Sequence, residues 1–188
     1  MESMSINELK QMRIWVLWQK QTRNGKTTKV PFAADGGKTG TNEEYRHTWV
    51  TYDEAVAAQK KFPGAGLGFV LPEGFVFLDI DHAELDDPIV QLMLSRFNSY
   101  AEKSPSDHGI HIVGRVDATK LPVHHDAEKK RNVLDDEFYQ KNSKLGIEQY
   151  IGGTTNRFAT FTGNAINDLG ITDCTDAVRT TLDKEMRL

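Results

Sequence analysis

The sequence predicts an α+β fold, with a mixed or antiparallel sheet flanked by helices. Short runs of β-forming residues, helical stripes introduced by capping signals, and a mixed order of the two along 188 residues lead to that class. The length suits one ordinary domain over residues 1–188 and leaves no room for a multi-domain machine.

Ile14-Trp15-Val16-Leu17-Trp18 is an apolar run of β-formers, closed by the polar stretch Gln19 to Thr28, and Lys29-Val30-Pro31-Phe32 follows as its short neighbour. Thr51 and Glu54 have capping-box spacing ahead of Ala55, Val56 and Ala58, so a helix is expected from Tyr52 to Lys61, stopped by Pro63-Gly64. Gly66 to Leu71 and Phe75 to Asp81 flank the turn residues Pro72-Glu73-Gly74, which reads as a hairpin. Asp87-Pro88 looks like an N-cap with proline at the first helical position. Ile89, Leu92, Met93, Leu94 and Phe97 then carry a helical stripe to about Asn98. Ile110 to Gly114, Ile147 to Ile151 and Phe158 to Thr162 are short β-rich runs, and Asp176 to Met186 supplies a final helix. Residues 116–145 differ: charged residues, Asn and His dominate, and only Leu121, Val123, Val133, Leu134 and Phe138 serve as anchors, so a polar insertion or mobile loop is expected.

Apolar residues including glycine make up about 46% of the chain, inside the globular range. Twenty-seven acids against 23 bases give a net charge of −4, so any nucleic acid must be held by a local patch and not by the overall charge. The single cysteine, Cys174, excludes a disulfide framework and a Cys-rich zinc module. Met1 to Met12 has no apolar core, and no window approaches the ~20 apolar residues of a membrane span. A cytoplasmic protein, neither exported nor anchored, is the simplest reading.

Phe75-Val76-Phe77-Leu78-Asp79-Ile80-Asp81-His82 is the most informative segment. In a strand, period two puts Asp79 and Asp81 on one face with Cα atoms ~6.8 Å apart, close enough to converge on hard cations. Without a cation they repel, so the pair calls for one, unless the strand has ended and its acids face water. An EF-hand loop fails on Ala83 and Glu84, and a Walker A loop fails because Lys20 and Phe32 stand where its first glycine belongs. An apolar strand ending in Asp-x-Asp also resembles the nucleophile strand of haloacid dehalogenase-like phosphatases, with Asp79 attacking phosphorus. Here, however, His82-Ala83 replaces the expected Gly-Thr.

Ser104-Pro105-Ser106-Asp107-His108-Gly109 forms a turn-rich loop entering Ile110-His111-Ile112, which places His111 opposite the isoleucines and near the loop hydroxyls. Taken alone, His111 reads as a satisfied histidine on a half-buried strand; together with the hydroxyls, it makes a triphosphate-holding face. In Gly146-Ile147-Glu148-Gln149-Tyr150-Ile151, Glu148 and Tyr150 share one face, and Glu148 offers a third carboxylate. Arg157, at the start of a strand, suits bidentate phosphate contact.

Together these segments resemble the primase-polymerase domain of phages, plasmids and mobile elements, within the archaeo-eukaryotic primase superfamily. The likeness runs through Trp15-Val16-Leu17-Trp18, Lys29-Val30-Pro31-Phe32, Thr48-Trp49, Gly66-Leu67-Gly68-Phe69-Val70, Asp79-Ile80-Asp81-His82, Ser104-Pro105-Ser106 with Gly109-Ile110-His111, Ile147-Glu148-Gln149-Tyr150, and Arg157-Phe158 with Thr162-Gly163. The resemblance implies the primase-polymerase catalytic fold and a template-dependent nucleotidyltransferase acting in replication. It implies that Asp79, Asp81 and Glu148 ligate two Mg²⁺ or Mn²⁺ ions, that Ser106 and His111 hold the incoming triphosphate, and that Arg157 touches phosphate or template. Lys20, Arg23, Lys26 and Lys29 are expected to line a groove for single-stranded DNA or primer-template. No helicase or zinc module is attached, so a separate or fused priming module is an expected partner. An aspartyl phosphatase and a catalytically inert nucleic-acid-binding replication module remain as alternatives.

Overall fold

The structure, a computed structural model, describes residues 1–188. Ser5 and Glu8 close a capping box on a short helix, α1 (Ile6–Gln11). The first apolar run continues well past Trp18: β1 (Trp15–Arg23) and β2 (Lys26–Phe32) form a long hairpin paired from Leu17↔Phe32 to Arg23↔Lys26. Asn24 and Gly25 turn it with φ of 51° and 74°, the two positive values that an Asn-Gly hairpin turn requires. The polar residues from Gln19 to Arg23 and from Lys26 to Thr28 therefore belong to strands, and the Asn-Gly pair between them is the signal for it.

After a 3₁₀ turn at Glu43–Thr48, the Thr51–Glu54 capping box forms as predicted. Glu54 Oε2 accepts the Thr51 N–H at 2.8 Å, and α2 runs over Tyr52–Gln59. Next come β3 (Gly66–Val70), β4 (Phe75–Asp81) and α3 (Pro88–Phe97), which has Asp87 at its N-cap and Asn98 in the left-handed region at its end. They are followed by β5 (Ala101–Lys103), β6 (Gly109–Arg115), β7 (Val123–Asp126), β8 (Arg131–Leu134), β9 (Lys141–Asn142), β10 (Ile147–Ile151), β11 (Phe158–Phe161) and α4 (Thr175–Glu185).

These strands build a four-stranded sheet in the order β11-β3-β1-β2 and a five-stranded sheet in the order β5-β6-β4-β10-β9, with β7-β8 as a separate hairpin. Neighbouring strands run antiparallel throughout. The α+β class with antiparallel sheets is thus the observed one. The expected hairpin of β3 with β4 is not formed. Each strand has both edges taken, β3 by β1 and β11 and β4 by β6 and β10, so Pro72-Glu73-Gly74 turns a corner between the sheets. Gly152 makes that corner possible: a Cβ there would lie 1.8 Å from the Pro72 carbonyl oxygen.

Period two divides β4 between two cores. Val76, Leu78 and Ile80 face α3 and α4, joining Val90, Met93, Phe97, Val178, Leu182 and Met186. Phe75 and Phe77 face the other way, joining Trp15, Leu17, Leu67, Phe69 and Phe161 of the four-stranded sheet with Ala55 and Ala58 of α2. Asp79 and Asp81 continue this second face beyond the last aromatic.

Residues 116–145, expected as a polar insertion or mobile loop, carry the β7-β8 hairpin and the edge strand β9. Leu121, Val133 and Leu134 are buried, and Leu121 and Leu134 join the α3/α4 core, so a few apolar anchors suffice to seat a mostly charged segment. No helix is long and apolar enough to cross a membrane.

Candidate active site

The five-stranded sheet places one charged or titratable residue from every strand in a single transverse row. The register pairs Glu102 of β5 with His111 of β6, His111 with Asp79 of β4, Asp79 with Glu148 of β10, and Glu148 with Lys141 of β9. Directly opposed residues have close Cβ atoms, so side-chain chemistry is passed from strand to strand along the row.

Asp79 stands at the centre. Burial pushes its carboxyl up to about 6. The charges of Asp81 and Glu148 push the same way, and His111 and Lys29 oppose them. Its Oδ1 is buried without a hydrogen-bond partner, and His111 Nε2 lies 3.6 Å away. Asp81 follows on the same face but is exposed, with its backbone N–H bonded to the Gly146 carbonyl. Glu148 accepts from Lys141 Nζ and from the Tyr150 hydroxyl. Burial would raise its carboxyl, but these two donors outweigh it and hold the group below the usual range.

A cleft of about 510 Å³ opens beside the row, and Asp79, Glu148, Lys29, Lys141, Tyr150 and Arg157 are among the residues lining it. The Arg157 guanidinium stacks 4.1 Å from the centre of the Tyr150 ring, which presents its fork in one plane. The structure thus brings together Asp79, Glu148, Arg157 and Lys29 from the sequence-derived set. It sets Asp81 one pleat further along β4, and Ser106 in the exposed turn before β6. There Ser106 Oγ accepts the His108 N–H at 3.3 Å and lies 3.1 Å from Ser104 Oγ.

His111 is 2% exposed, so it has the environment of a satisfied core histidine while standing next to Asp79. The four basic hairpin residues do not form one line. Lys20 pairs with Lys29 and Arg23 with Lys26, and the odd-even offset puts the two pairs on opposite faces.

Sequence reasoning missed Glu102 and Lys141. Glu102 lies two residues from Tyr100 in a three-residue edge strand too short to show alternation, and Lys141 lies in a stretch without apolar period.

No protein-family profile matches the chain. A DNA primase-polymerase of Nitratiruptor phage NrS-1 is 32% identical over 174 residues, a match covering 89% of this chain. The chain is similar to a phage DNA primase-polymerase. It spans 21% of that relative's length. The relative agrees with the resemblance carried by the motifs. The aspartyl-phosphatase alternative has no support in the fold, because β4 is antiparallel to both neighbours and no parallel sheet offers a carboxyl edge for a nucleophile.

The donor chemistry of the three acids suits a hard divalent cation. Asp79, Asp81 and Glu148 offer only carboxylate oxygens, and Asp79 Oδ1 is an orphaned buried acceptor. As they stand, no three such side chains converge into a metal cluster, and Lys141 and Tyr150 occupy Glu148.

Proposed function

We propose that the chain is the catalytic domain of a template-dependent nucleotidyltransferase that makes or extends DNA primers in the replication of a phage, plasmid or mobile element. The observation that carries this reading is the cleft in which Asp79 and Glu148 face Lys29, Lys141 and Arg157. Two carboxylates beside three cations are what a site needs if it is to accept both a polyanionic triphosphate and the ions that accompany it.

Asp79, Asp81 and Glu148 would hold Mg²⁺ or Mn²⁺. When bound, such ions lower the pKa of an attacking 3′-hydroxyl and neutralise charge on the triphosphate and the leaving pyrophosphate. The chain's own side chains do the rest. Arg157, kept planar on Tyr150, grips phosphate oxygens with two parallel N–H donors. Lys29 and Lys141 supply point charges from the two sides of the cleft. Ser106 offers an exposed hydroxyl to the triphosphate, whereas His111 is buried and turns the ring edge that Glu102 leaves free toward Asp79, acting on the site through that carboxylate. Lys20 with Lys29 steers single-stranded template toward the cleft.

Initiation must order template and two nucleotides at once, whereas extension receives one of them already paired, so an annealed primer is the better substrate. A separate or fused helicase or priming module would offset that difference. The test is primer extension with labelled nucleotides, a single-stranded template and Mg²⁺ or Mn²⁺. Template-dependent incorporation is expected. Phosphate release from a small substrate without template, or template binding without incorporation, would overturn the reading.

A further inference from the structure

Glu102 is 1% exposed and has no lysine or arginine partner among the chain's ion pairs. A buried carboxylate of this kind is costly unless every lone pair is used. Here three donors are fixed by their own chemistry and His111 Nδ1 stands at the fourth place. Oε1 accepts the Thr162 N–H at 3.0 Å and lies 3.2 Å from His111 Nδ1, and Oε2 accepts the Gly163 N–H at 2.9 Å and the Tyr100 hydroxyl at 2.9 Å. The two backbone N–H groups cannot reverse into acceptors, and each claims one oxygen, so together they fix the plane of the carboxylate. Burial, with the neighbouring Glu102 charge, keeps the Tyr100 hydroxyl protonated and therefore donating.

An acceptor held in this way dictates the state of the ring beside it. His111 Nδ1 has to carry a proton, which leaves Nε2 as the atom that faces Asp79 Oδ1 at 3.6 Å. Phe77 packs edge-on against the imidazole with ring centroids 4.8 Å apart, so packing and hydrogen bonding together set its angle. The Thr162-Gly163 pair, whose place in the motif pattern the cleft itself does not explain, gains a reason: its two amides hold Glu102.

We infer that Glu102 is a positioning residue for nucleotide incorporation, acting through His111 by keeping a proton on Nδ1 and setting the ring's orientation toward Asp79. The inference rests on the function proposed above. It differs from a purely structural role, in which Glu102 would only fasten the Thr162-Gly163 segment to β5. Such a fastener would affect stability without depending on His111.

The experiment combines a double-mutant cycle with a spectroscopic signature. Glu102→Ala is expected to lower incorporation about 10–100-fold, by analogy with the hydrogen-bond partners that orient metal-ligating histidines, and Glu102→Gln to recover part of that loss. In a His111→Ala background, Glu102→Ala should lower the rate no further, because the group it acts through is gone. In the ¹⁵N-histidine-labelled, metal-free chain, one imidazole Nδ1–H proton should be protected from exchange, should move upfield in Glu102→Gln and should vanish in Glu102→Ala. Should Glu102→Ala fail to fold, Glu102→Gln carries both readouts. Independent, multiplicative losses for Glu102 and His111, or an imidazole proton unchanged by substitution at Glu102, would overturn the inference. A wild-type chain that incorporates nothing would overturn the function instead, and the imidazole resonance would still decide whether Glu102 sets the ring.

Discussion

His111 Nε2 lies 3.6 Å from Asp79 Oδ1, and that buried oxygen has no hydrogen-bond partner. The central carboxylate of the site is therefore costly in the metal-free chain, and the cost depends on pH. Asp79 titrates near 3.8 when unperturbed and is pushed up to about 6 in the fold. Between those values the folded chain binds a proton that the unfolded chain does not, so stability falls as pH rises through the window. The penalty is complete above about 6 and absent below about 4, and it amounts to about 2–3 kcal/mol. Asp79→Asn should raise the melting temperature in EDTA at pH 8 and leave it nearly unchanged at pH 4, while abolishing incorporation. Equal shifts at both pH values would show that the carboxylate charge is not the source of the strain.

Lys141 and Glu148 pair directly across β9 and β10, so the lysine occupies a carboxylate that a divalent ion would need. Glu148 and its neighbours raise the Lys141 ammonium above its ordinary value, and it stays charged at neutral pH. Lys141→Ala should tighten Mn²⁺ binding in the absence of nucleotide and weaken nucleotide binding several-fold, because one of three cleft cations is lost. Calorimetry with Mn²⁺ alone and a fluorescent-nucleotide titration give the two readings. Unchanged Mn²⁺ affinity would mean that the lysine does not compete.

Glu148→Gln keeps the shape of the side chain and removes its charge, so metal affinity and incorporation should fall together. Neutralising Asp135, Asp136 and Glu137 should spare both. Asp135 is bonded to His124, Glu137 is paired with Arg187, and none of the three lines the cleft. An essential triplet with a dispensable Glu148 would move the third ligand onto the β7-β8 side of the fold.

Most of the site's faces were legible in the sequence because they follow from local period. Asp79 and Asp81 with the aromatics of β4, and Glu148 with Tyr150, fall on the sides that simple alternation assigns. Register is non-local, and the row from Glu102 to Lys141 depends on which residues of five strands lie opposite one another, which no single segment encodes. The misread β3-β4 hairpin has the same origin. Pro72-Glu73-Gly74 has turn chemistry, but whether a turn joins partners or changes sheets depends on strands that come later in the chain. The extension of β1 and β2 was readable in Asn24-Gly25, yet the polarity of the tip masked it.

The corner offers a test of packing. Gly152→Ala would drive a Cβ into the backbone at Pro72, and a carbonyl held by a sheet corner has little freedom to move aside. A loss of about 3 kcal/mol or more is expected, with a displaced β10 and reduced incorporation. Gly64→Ala meets nothing within 4 Å and bears only the strain of φ +81°, so its cost should stay near 1–2 kcal/mol. Comparable losses for the two variants in urea melts would show that the corner yields.

The hairpin provides the last test. Lys20 and Lys29 lie directly opposite each other, as do Arg23 and Lys26, and like charges in opposed positions weaken a strand pair. A long hairpin that keeps two such pairs gains when an anion lies along it. The pairs are not equivalent, since Lys29 lines the cleft and stands 5.4 Å over the Trp18 ring, while Arg23 and Lys26 flank the turn on the other face. For single strands, the slope of log affinity against log salt is about −0.7 per neutralised phosphate. The double substitution Lys20→Ala with Lys29→Ala should make that slope shallower by about 1.4. Arg23→Ala with Lys26→Ala should change it by less than half as much. Fluorescence anisotropy of a labelled oligonucleotide across a salt series separates the cases: equal effects from both pairs would mean that the strand wraps the tip of the hairpin instead of entering the cleft along the Lys29 face.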